Sequence, residues 1–299
     1  YVQAVNGVSL DILEGETMGL VGESGCGKST LGRMLLHLIT PTEGEILYRG
    51  EDIVAMKGEK LRQMRRKMQI VFQDPYASLN PRMRIGDIIA EPMIANNIVP
   101  KDKVEARVNE LLECVGLANY MRNRYPHEFS GGQRQRVGLA RAMVMEPEFV
   151  VADEPISALD VSIRAQILNL MNKFQAEQGT TYMFIAHDLS IVRYISDRIG
   201  VIYKGKIVEI ASSEELFDYP LHPYTRSLIS AIPLPDPQLE KHKVLYTYDP
   251  SMHNYTDETH PELVDIGHGH YVYGSPEEIA EYRACLLYTS PSPRDTERS

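Results

Sequence analysis

Cysteine and tryptophan are scarce in this chain, whose 299 residues include no tryptophan and three cysteines. Cys26, Cys114 and Cys285 are widely spaced, which excludes a disulfide framework and a cysteine metal cluster. We therefore expect a reducing, cytoplasmic setting. Long apolar runs are missing too, and none approaches the roughly 18 residues that a membrane-spanning helix needs.

Positive charge is in the minority. The chain has 31 Lys and Arg against 41 Asp and Glu, which gives a net charge of −10. A general nucleic-acid-binding protein usually presents a basic face, so this balance argues against one and leaves only a local basic patch open. The hydrophobic fraction of 43% and the charged fraction of 24% are typical of a globular protein.

The apolar pattern predicts an α/β fold, because strand-like runs alternate with stretches of helical periodicity. Antiparallel pieces are expected at both edges of the sheet, and a helical insert in the middle of the chain. The predicted strands span 8–12, 16–22, 44–50, 68–73, 149–153 and 181–187, with a hairpin over 198–210 that turns at Lys204–Gly205. The predicted helices span 29–39, 84–117, the stretch from 130 to about 145, and 162–177. The pattern fades past about residue 235.

The stretch GESGCGKS at 22–29 matches the phosphate-binding pattern G-x-x-x-x-G-K-[ST], after an apolar strand and before an amphipathic helix. Glycines let the backbone wrap a phosphate chain, and loop N–H groups bind its oxygens. In this motif Lys28 bridges the β- and γ-phosphates and Ser29 binds Mg²⁺. The predicted nucleotide-binding residues are Gly22, Glu23, Ser24, Gly25, Cys26, Gly27, Lys28, Ser29 and Thr30.

Two carboxylates end the apolar strand of EFVVADEP at 148–155. Asp153 is placed to hold Mg²⁺, and Glu154 to orient or activate the attacking water. An acid pair at a strand end is also an ordinary surface feature. After a phosphate-binding loop at this spacing, the catalytic interpretation is the favoured one.

Gln73 and His187 each end a predicted strand. The Gln73 amide can contact both Mg²⁺ and the attacking water, although a capping or surface glutamine fits the spacing equally well. An imidazole at His187 can contact a γ-phosphate, whereas a lone histidine at a strand end is more often structural. From the residues alone, both alternatives stay open.

A second anion-binding feature is HEFSGGQRQR at 127–136, which opens a predicted helix. The first N–H groups of a helix are unpaired and its dipole is positive at that end, so anions bind there. A helix N-cap by Ser130 explains the same residues without a ligand. The two interpretations are compatible, because the free N–H groups are what a phosphate uses.

Six stretches resemble, in order and spacing, those of ABC-transporter ATPase subunits over about residues 1–235. They are GESGCGKST, IVFQDP with Gln73, FSGGQRQR, VVADEP, SALD and IAHD. QDPYASLNPR, DEPISALDVSIRAQ and HPYTRSLISAIPLPDP resemble more narrowly the F-type ATP-binding subunit of oligopeptide and dipeptide importers. Phe129 stands where the family more commonly has Leu, and Ile156 where it has Thr, but neither departure removes a catalytic group.

This resemblance implies a P-loop NTPase (RecA-like) core with an antiparallel β edge subdomain, an inserted α-helical subdomain and a C-terminal extension. The implied boundaries are 1–235 for the ATPase domain, with the helical subdomain at about 74–140, and 236–284 for the extension. Residues 285–299 are rich in Ser, Pro and Thr and resemble translated adapter sequence, so we expect a non-native tail; a native disordered tail is the alternative.

The resemblance also implies a second ATPase subunit. Two chains are expected to pack head to tail around two ATP molecules, with Asp160 of SALD at the shared interface. The adenine-stacking aromatic is unassigned; Tyr1 is a weak candidate, and the start without Met predicts a truncated amino terminus. The residues expected to cap the γ-phosphate of ATP on the other subunit are Ser130, Gly131, Gly132 and Gln133.

The implied function is Mg²⁺-dependent ATP binding and hydrolysis that powers import of oligopeptides or dipeptides. The implied partners are a paralogous ATPase subunit (a homodimer being the alternative), two transmembrane permease subunits and, indirectly, an extracytoplasmic peptide-binding protein. The chain is then peripheral, at the cytoplasmic face of the cell membrane, with no nucleic acid partner. The alternative is that the same ATPase subunit powers transport of another solute, such as nickel, glutathione or a cell-wall peptide.

Other classes of protein fit less well. A soluble ABC ATPase acting on DNA or ribosomes usually has two cassettes or a coiled-coil insert, whereas this chain has one cassette and no long heptad insert. A catalytically inactive regulatory subunit that only binds ATP is disfavoured because Lys28, Asp153, Glu154 and His187 are all present. Some family members carry an iron–sulfur cluster in the extension, but residues 236–284 contain no cysteine, so none is expected. The two histidines of HGH at 268–270 are interpreted as loop residues rather than metal ligands.

Overall fold

The computed structural model describes residues 3–157, 159–233, 243–253, 255 and 259–289. Tyr1, part of the expected extension and residues 290–299 of the expected tail lie outside the described residues. The strands are β1 Thr17–Val21, β2 Leu47–Tyr48, β3 Glu51–Asp52, β4 Met68–Val71, β5 Phe149–Asp153, β6 Thr181–Ala186, β7 Arg198–Tyr203, β8 Lys206–Ser212, β9 Glu262–Asp265 and β10 Tyr271–Gly274.

Helices connect these strands and follow the last of them. The α-helices are α1 Lys28–Leu35, α2 Gly58–Lys67, α3 Pro75–Ser78, α4 Ile85–Asn96, α5 Val104–Cys114, α6 Gly131–Met143, α7 Val161–Gln178, α8 Leu189–Ile195, α9 Ser213–Asp218, α10 Pro223–Ser230 and α11 Pro276–Thr289. Short 3-10 helices cover Lys101–Lys103, Asn119–Asn123, Pro126–Glu128 and Pro250–Met252. In the part of the chain that the structure describes, no helix combines the length and apolarity that crossing a membrane requires.

The chain divides into two compact units. The first unit consists of residues 1–10, 18–28 and 187–299, and the second of residues 11–17 and 29–186. The expected helical subdomain, at about 74–140, lies entirely within the second unit.

Parallel strands form the centre of the second unit, in the order β4-β5-β6. β5 and β6 are buried along their whole length, as expected for parallel strands with both faces covered. Helix α1 packs closely on them: a Cβ on Gly32 would lie 2.8 Å from Val151 and 3.0 Å from Ile185. β5 ends at Asp153, so the predicted catalytic carboxylates lie at the carboxyl end of this layer.

The helical insert of the second unit has a core of its own, built by α4, α5 and α6. The sequence predicted one helical stretch over 84–117, but the structure interrupts it after Asn96. Asn97 adopts the left-handed conformation with a φ of 52°, and its N–H donates to the carbonyls of Ile94 and Met93. Asparagine tolerates this cap conformation, and Pro100 follows, so the helix ends and α5 starts afresh at Val104.

The strands of the first unit are mixed. β1 pairs in parallel with β7, and β7 forms an antiparallel hairpin with β8. The hairpin turns at Lys204–Gly205 as predicted, with φ values of 45° and 80° that suit a two-residue turn. β10 pairs antiparallel with both β8 and β9.

The region past residue 235 is more regular than its sequence predicted. It contains β9, β10 and α11. Their residues Val272, Ile279 and Tyr282 form a small buried cluster with Leu221, which lies just before α10. Each strand has four residues, too few for an alternating pattern to stand out. Helix α11 continues across the expected boundary at 285 as far as Thr289.

Two strand predictions were wrong. Residues 8–12 form no strand, because an extended apolar pattern also needs a ladder partner and this segment has none within the described structure. The strand predicted over 44–50 shrinks to β2, a two-residue piece paired with β3. Arg49 and Gly50, with φ values of 49° and 81°, turn the chain back within this stretch.

Candidate nucleotide-binding and catalytic site

The predicted phosphate-binding loop joins β1 to α1, and close neighbours require glycine at two of its positions. Gly27 has a φ of 108°, and a Cβ there would lie 2.2 Å from the carbonyl oxygen of Ala4. A Cβ on Gly22 would lie 2.2 Å from the carbonyl oxygen of Ile202. No side chain can stand that close to a carbonyl oxygen. Glycine is therefore needed for the path of the loop itself, apart from any need to approach a phosphate.

Lys28 lies inside the curve of this loop and is only 5% exposed. Its Nζ donates to the carbonyl oxygens of Gly22, at 2.7 Å, and Glu23, at 2.8 Å. Both acceptors are neutral, so charged phosphate oxygens compete well for the same ammonium group. The loop thus holds one buried positive charge ready for an anion.

Cys26 lies in the same loop, and its thiol adds no negative charge beside the Lys28 ammonium. Burial raises the pKa of its thiol, and the nearby Lys28 ammonium lowers it by a smaller amount. The net upward shift keeps the thiol protonated at neutral pH. The loop therefore carries no thiolate that would repel a phosphate.

Ser29 and Asp153 meet within the second unit. The Ser29 Oγ donates to Asp153 Oδ1 at 2.8 Å, and Asp153 is 2% exposed. The pair offers a hydroxyl and a buried carboxylate at adjacent positions. These hard oxygen ligands are the kind that Mg²⁺ takes alongside phosphate oxygens, so the residues present fit that ion.

Gln73 and Glu154 are also in contact. The Gln73 Nε2 donates to Glu154 Oε2 at 2.8 Å. Glu154 has a φ of 46°, unusual for a residue other than glycine, and its N–H donates to the Ile185 carbonyl at 2.9 Å. Strain of this kind costs about 1–3 kcal/mol and is concentrated at functional sites. The backbone thus holds the Glu154 carboxylate in a set direction beside the Gln73 amide.

His187 directly follows β6 and is exposed. The division of the chain assigns it to the first unit, whereas Asp153 and Glu154 belong to the second. Its contact with a γ-phosphate therefore stays a prediction from its position at a strand end and from the family resemblance.

The SGGQ stretch forms a complete capping box at the start of α6. The Gln133 N–H donates to Ser130 Oγ at 3.3 Å, and the Ser130 N–H donates to Gln133 Oε1 at 3.0 Å. The structural interpretation of Ser130 as an N-cap is therefore right. These bonds use two backbone donors, and the remaining first-turn N–H groups of α6 keep their capacity to bind an anion.

The two glycines of this stretch differ in their surroundings. A Cβ on Gly132 would lie 2.7 Å from Ile163 of α7, so Gly132 permits close helix packing. Gly131 is exposed, and a Cβ there would meet nothing within 4 Å. Asp160 stands before α7 with an exposed side chain that does not cap the helix. Gly131 and Asp160 are thus surface positions, as an interface between subunits requires.

Comparison with known proteins identifies the family. The ABC transporter family model matches residues 5–157, and the model for the oligopeptide/dipeptide transporter C-terminal region matches residues 208–257. This chain belongs to the ABC transporter family. The oligopeptide transport ATP-binding protein OppF of Bacillus subtilis (strain 168) is 56% identical over 283 residues, which cover 94% of this chain and 93% of that protein. The dipeptide transport ATP-binding protein DppF of Lactococcus lactis subsp. cremoris (strain MG1363) is 55% identical, covering 94% and 90%.

Solved structures of ABC proteins share the fold. One is cbiO1 from Clostridium perfringens, part of the ABC transporter complex cbiONQ, with a TM-score of 0.65 and 29% identity over 72% of this chain and 84% of that one. Another is the dimeric structure of MJ0796, a bacterial ABC transporter cassette, with a TM-score of 0.65 and 31% identity over 70% and 90%. The predicted P-loop fold, the family and the ATPase activity are confirmed.

Sequence reasoning missed two polar residues of this ABC ATPase. Gln135 is 2% exposed on α6, and its Nε2 lies 3.4 Å from the carbonyl of Phe72, just before Gln73. Tyr224 of the HPYT stretch accepts a hydrogen bond from the Glu23 N–H of the phosphate-binding loop at 3.0 Å. The signal for Gln135 was a polar residue on the apolar side of a helix. For Tyr224, which lies early in α10, the sequence gave no hint of its partner.

Proposed function

We propose that this chain is the subunit whose ATP hydrolysis drives import of oligopeptides or dipeptides through a membrane permease. The Gln73–Glu154 hydrogen bond carries the proposal, because it ties the expected catalytic carboxylate to the segment that follows Gln73. That segment, residues 74–92, is the part of the chain we assign to the permease contact. A chemical change at Glu154 can in this way alter the position of a surface in contact with another protein.

The proposed reaction is an in-line attack of water on the γ-phosphorus of ATP. The water oxygen forms a bond to the γ-phosphorus, and Glu154 accepts a proton from the water. At the same time the bond between the γ-phosphorus and the bridging oxygen breaks, and ADP leaves. Lys28 neutralises charge on the β- and γ-phosphates, and His187 is assigned a γ-phosphate contact. Mg²⁺, held by Ser29, Gln73 and Asp153, would supply further charge neutralisation when bound.

In the proposed transporter this chain forms a dimer with a second ATPase subunit. The exposed amino-terminal turn of α6 binds the γ-phosphate of ATP held on that partner, and Asp160 lies at the interface. A paralogous chain is the favoured partner and a second copy of this chain the alternative. ATP that contacts both subunits stabilises only the closed dimer, which is how binding can shift the equilibrium toward closure.

The proposed permease contact places the chain at the cytoplasmic face of the cell membrane. Within the segment, Tyr76 is 57% exposed and stacks under the Arg134 guanidinium, 4.8 Å from the ring centroid. An exposed aromatic ring next to a cation is a common anchor at interfaces. An extracytoplasmic binding protein would deliver the peptide to the permease and would not touch this chain.

Transport by reconstituted vesicles tests the proposal. The complete assembly of permease, both ATPase subunits and binding protein is placed in vesicles and supplied with ATP, and uptake is measured for a labelled oligopeptide, a dipeptide, nickel and glutathione. We expect peptide uptake with the natural chain and none with Glu154→Gln. Uptake of nickel or glutathione in place of peptide would overturn the substrate class while leaving the ATPase assignment intact.

A further inference from the structure

Tyr224 links the C-terminal part of the first unit to the phosphate-binding loop. It is 2% exposed, and its hydroxyl oxygen accepts a hydrogen bond from the Glu23 N–H at 3.0 Å. Burial raises the pKa of the Tyr224 hydroxyl, so the group stays neutral at physiological pH. This N–H belongs to the loop whose other amides are expected to bind phosphate, yet its partner is a side chain from about 200 residues later.

The backbone of Glu23 is held by hydrogen bonds at both its N–H and its carbonyl group. Its N–H is held by Tyr224, and its carbonyl oxygen accepts from Lys28 Nζ at 2.8 Å. A single residue thus joins the buried ammonium of the loop to the C-terminal region. Rotation of Glu23 would break both bonds and leave the ammonium with only one of its two carbonyl acceptors, that of Gly22.

The Tyr224 ring is itself held in place by aromatic neighbours. Its centroid lies 4.5 Å from that of Tyr203 and 5.4 Å from that of Tyr248, with tilted and T-shaped geometries. Such pairs are favourable beyond the area they bury and restrict ring motion. The hydroxyl is consequently presented by a rigid group rather than by a mobile surface side chain.

The backbone that carries Tyr224 is anchored by a buried carboxylate. Glu209 of β8 accepts from the N–H groups of Leu221, at 2.8 Å, and His222, at 3.0 Å. The Nδ1 of His222 then accepts from the Tyr224 N–H at 3.1 Å and caps α10. Glu209 is in addition 2.8 Å from His270 Nε2, and both side chains are fully buried. A carboxylate buried with these partners sets the start of α10 firmly.

We infer that Tyr224 is a positioning residue for ATP binding, which fixes the Glu23 backbone so that the loop and Lys28 are already arranged for phosphate. The segment that follows β8 is then a support for the nucleotide site as well as a C-terminal addition. The inference rests on the proposed function, because it takes ATP to be the ligand of this loop. It assigns Tyr224 no contact with ATP.

A hydroxyl deletion with a matched control tests the inference. Tyr224→Phe removes one oxygen atom and keeps the ring. Tyr182→Phe makes the same deletion at a residue that is 1% exposed and whose hydroxyl has only a weak contact, 3.9 Å, with Met143 Sδ. The Kd of ATP is measured by calorimetric titration with a chelator present, so that no turnover occurs. Amide hydrogen exchange of residues 22–28 is measured without nucleotide.

For Tyr224→Phe we expect the Kd of ATP to rise about threefold to tenfold, the effect of one hydrogen bond, and loop exchange to become faster. Tyr182→Phe should keep both within about twofold of the natural chain. An unchanged Kd in Tyr224→Phe, or an equal rise in both variants, overturns the inference. Absence of ATP binding by the natural chain would instead refute the proposed function, so the two failures are distinguishable.

Discussion

Gln73 and Glu154, 81 positions apart in the chain, are joined by a hydrogen bond of 2.8 Å between an amide nitrogen and a carboxylate oxygen. The Glu154 backbone is strained, with a φ of 46°, and its N–H is tied to Ile185. The carboxylate is therefore oriented from two directions, by its own backbone and by the Gln73 amide. In the proposed function, this pair couples ATP hydrolysis to the position of residues 74–92.

Removing the Gln73 amide should slow hydrolysis without weakening ATP binding. In Gln73→Ala, Glu154 loses a partner that orients it, and poorly positioned catalytic groups cost up to about a hundredfold in rate. We expect kcat to fall about tenfold to a hundredfold, and the Kd of ATP, measured with a chelator of Mg²⁺ present, to change less than about twofold. Gln69→Ala, at a residue whose amide bonds the Arg65 carbonyl, is the control and should retain the natural rate. A natural kcat in Gln73→Ala would show that the hydrogen bond is irrelevant to catalysis.

Glu154→Gln should separate ATP binding from turnover. The amide keeps the size of the carboxylate but cannot accept a proton, so we expect turnover to fall by about two to four orders of magnitude while ATP still binds. Glu177→Gln, on the exposed side of α7, is the control. Hydrolysis at the natural rate by Glu154→Gln would remove this residue from the role of base.

The same Glu154→Gln chain can show whether the second ATPase subunit is a copy of this chain or a paralogous one. Size-exclusion chromatography with and without ATP and Mg²⁺ distinguishes two arrangements. A dimer that forms only with ATP would mean that identical chains can pair through the phosphate-binding loop and SGGQ. A monomer that still binds ATP would point to an obligatory paralogous subunit.

The two glycines of SGGQ should respond differently to alanine. A Cβ on Gly132 would lie 2.7 Å from Ile163, so Gly132→Ala should lower the free energy of unfolding by about 1–3 kcal/mol. Gly131 has open space around it, so Gly131→Ala should fold normally. If the turn binds phosphate on a partner, Gly131→Ala should nevertheless reduce ATPase activity in the assembled transporter. Natural activity together with a natural melting temperature in Gly131→Ala would argue against that contact.

Local geometry was easier to predict from the sequence than the edges of the fold. Lys28, Ser29 and Asp153 lie in motifs whose spacing follows directly from a strand, a turn and a helix, so their local geometry could be foreseen. The strand predicted over 8–12 failed because an apolar alternation describes one chain segment, whereas a strand depends on a partner elsewhere. The short strands β9 and β10 had the opposite problem. β10 is a strand because it pairs with β8 and β9, and β9 because it pairs with β10, whereas their own sequence patterns are too short to indicate a strand.

The contact between Tyr224 and Glu23 could not be foreseen for a related reason. Its two residues are 201 positions apart, and no periodicity connects them. The same holds for Gln135, whose partner is the backbone carbonyl of Phe72, just after β4. Backbone acceptors and donors have no residue type, so sequence motifs carry no record of such contacts.

The Glu209–His270 pair predicts how stability depends on pH. Burial lowers the pKa of His270, while contacts with Glu209 and Glu215 raise it, and the net shift is upward. A raised pKa means that the folded state binds the proton more tightly than the unfolded state does, whose histidine titrates at about 6.5. The stabilisation is therefore complete below about pH 6.5 and is lost as pH rises through the folded-state value.

His270→Gln makes this dependence measurable. The variant should be less stable than the natural chain by about 3 kcal/mol at acidic pH, because a fully buried carboxylate loses its charged partner. The difference should shrink as pH rises above about 6.5. Denaturant unfolding of both chains across this range gives the curve. His268→Asn, at an exposed residue with a φ of 57° that asparagine tolerates, is the control and should show no such trend. A difference that stays constant or grows toward alkaline pH would mean that His270 is buried in its neutral form, and that Glu209 anchors α10 without help from an ion pair.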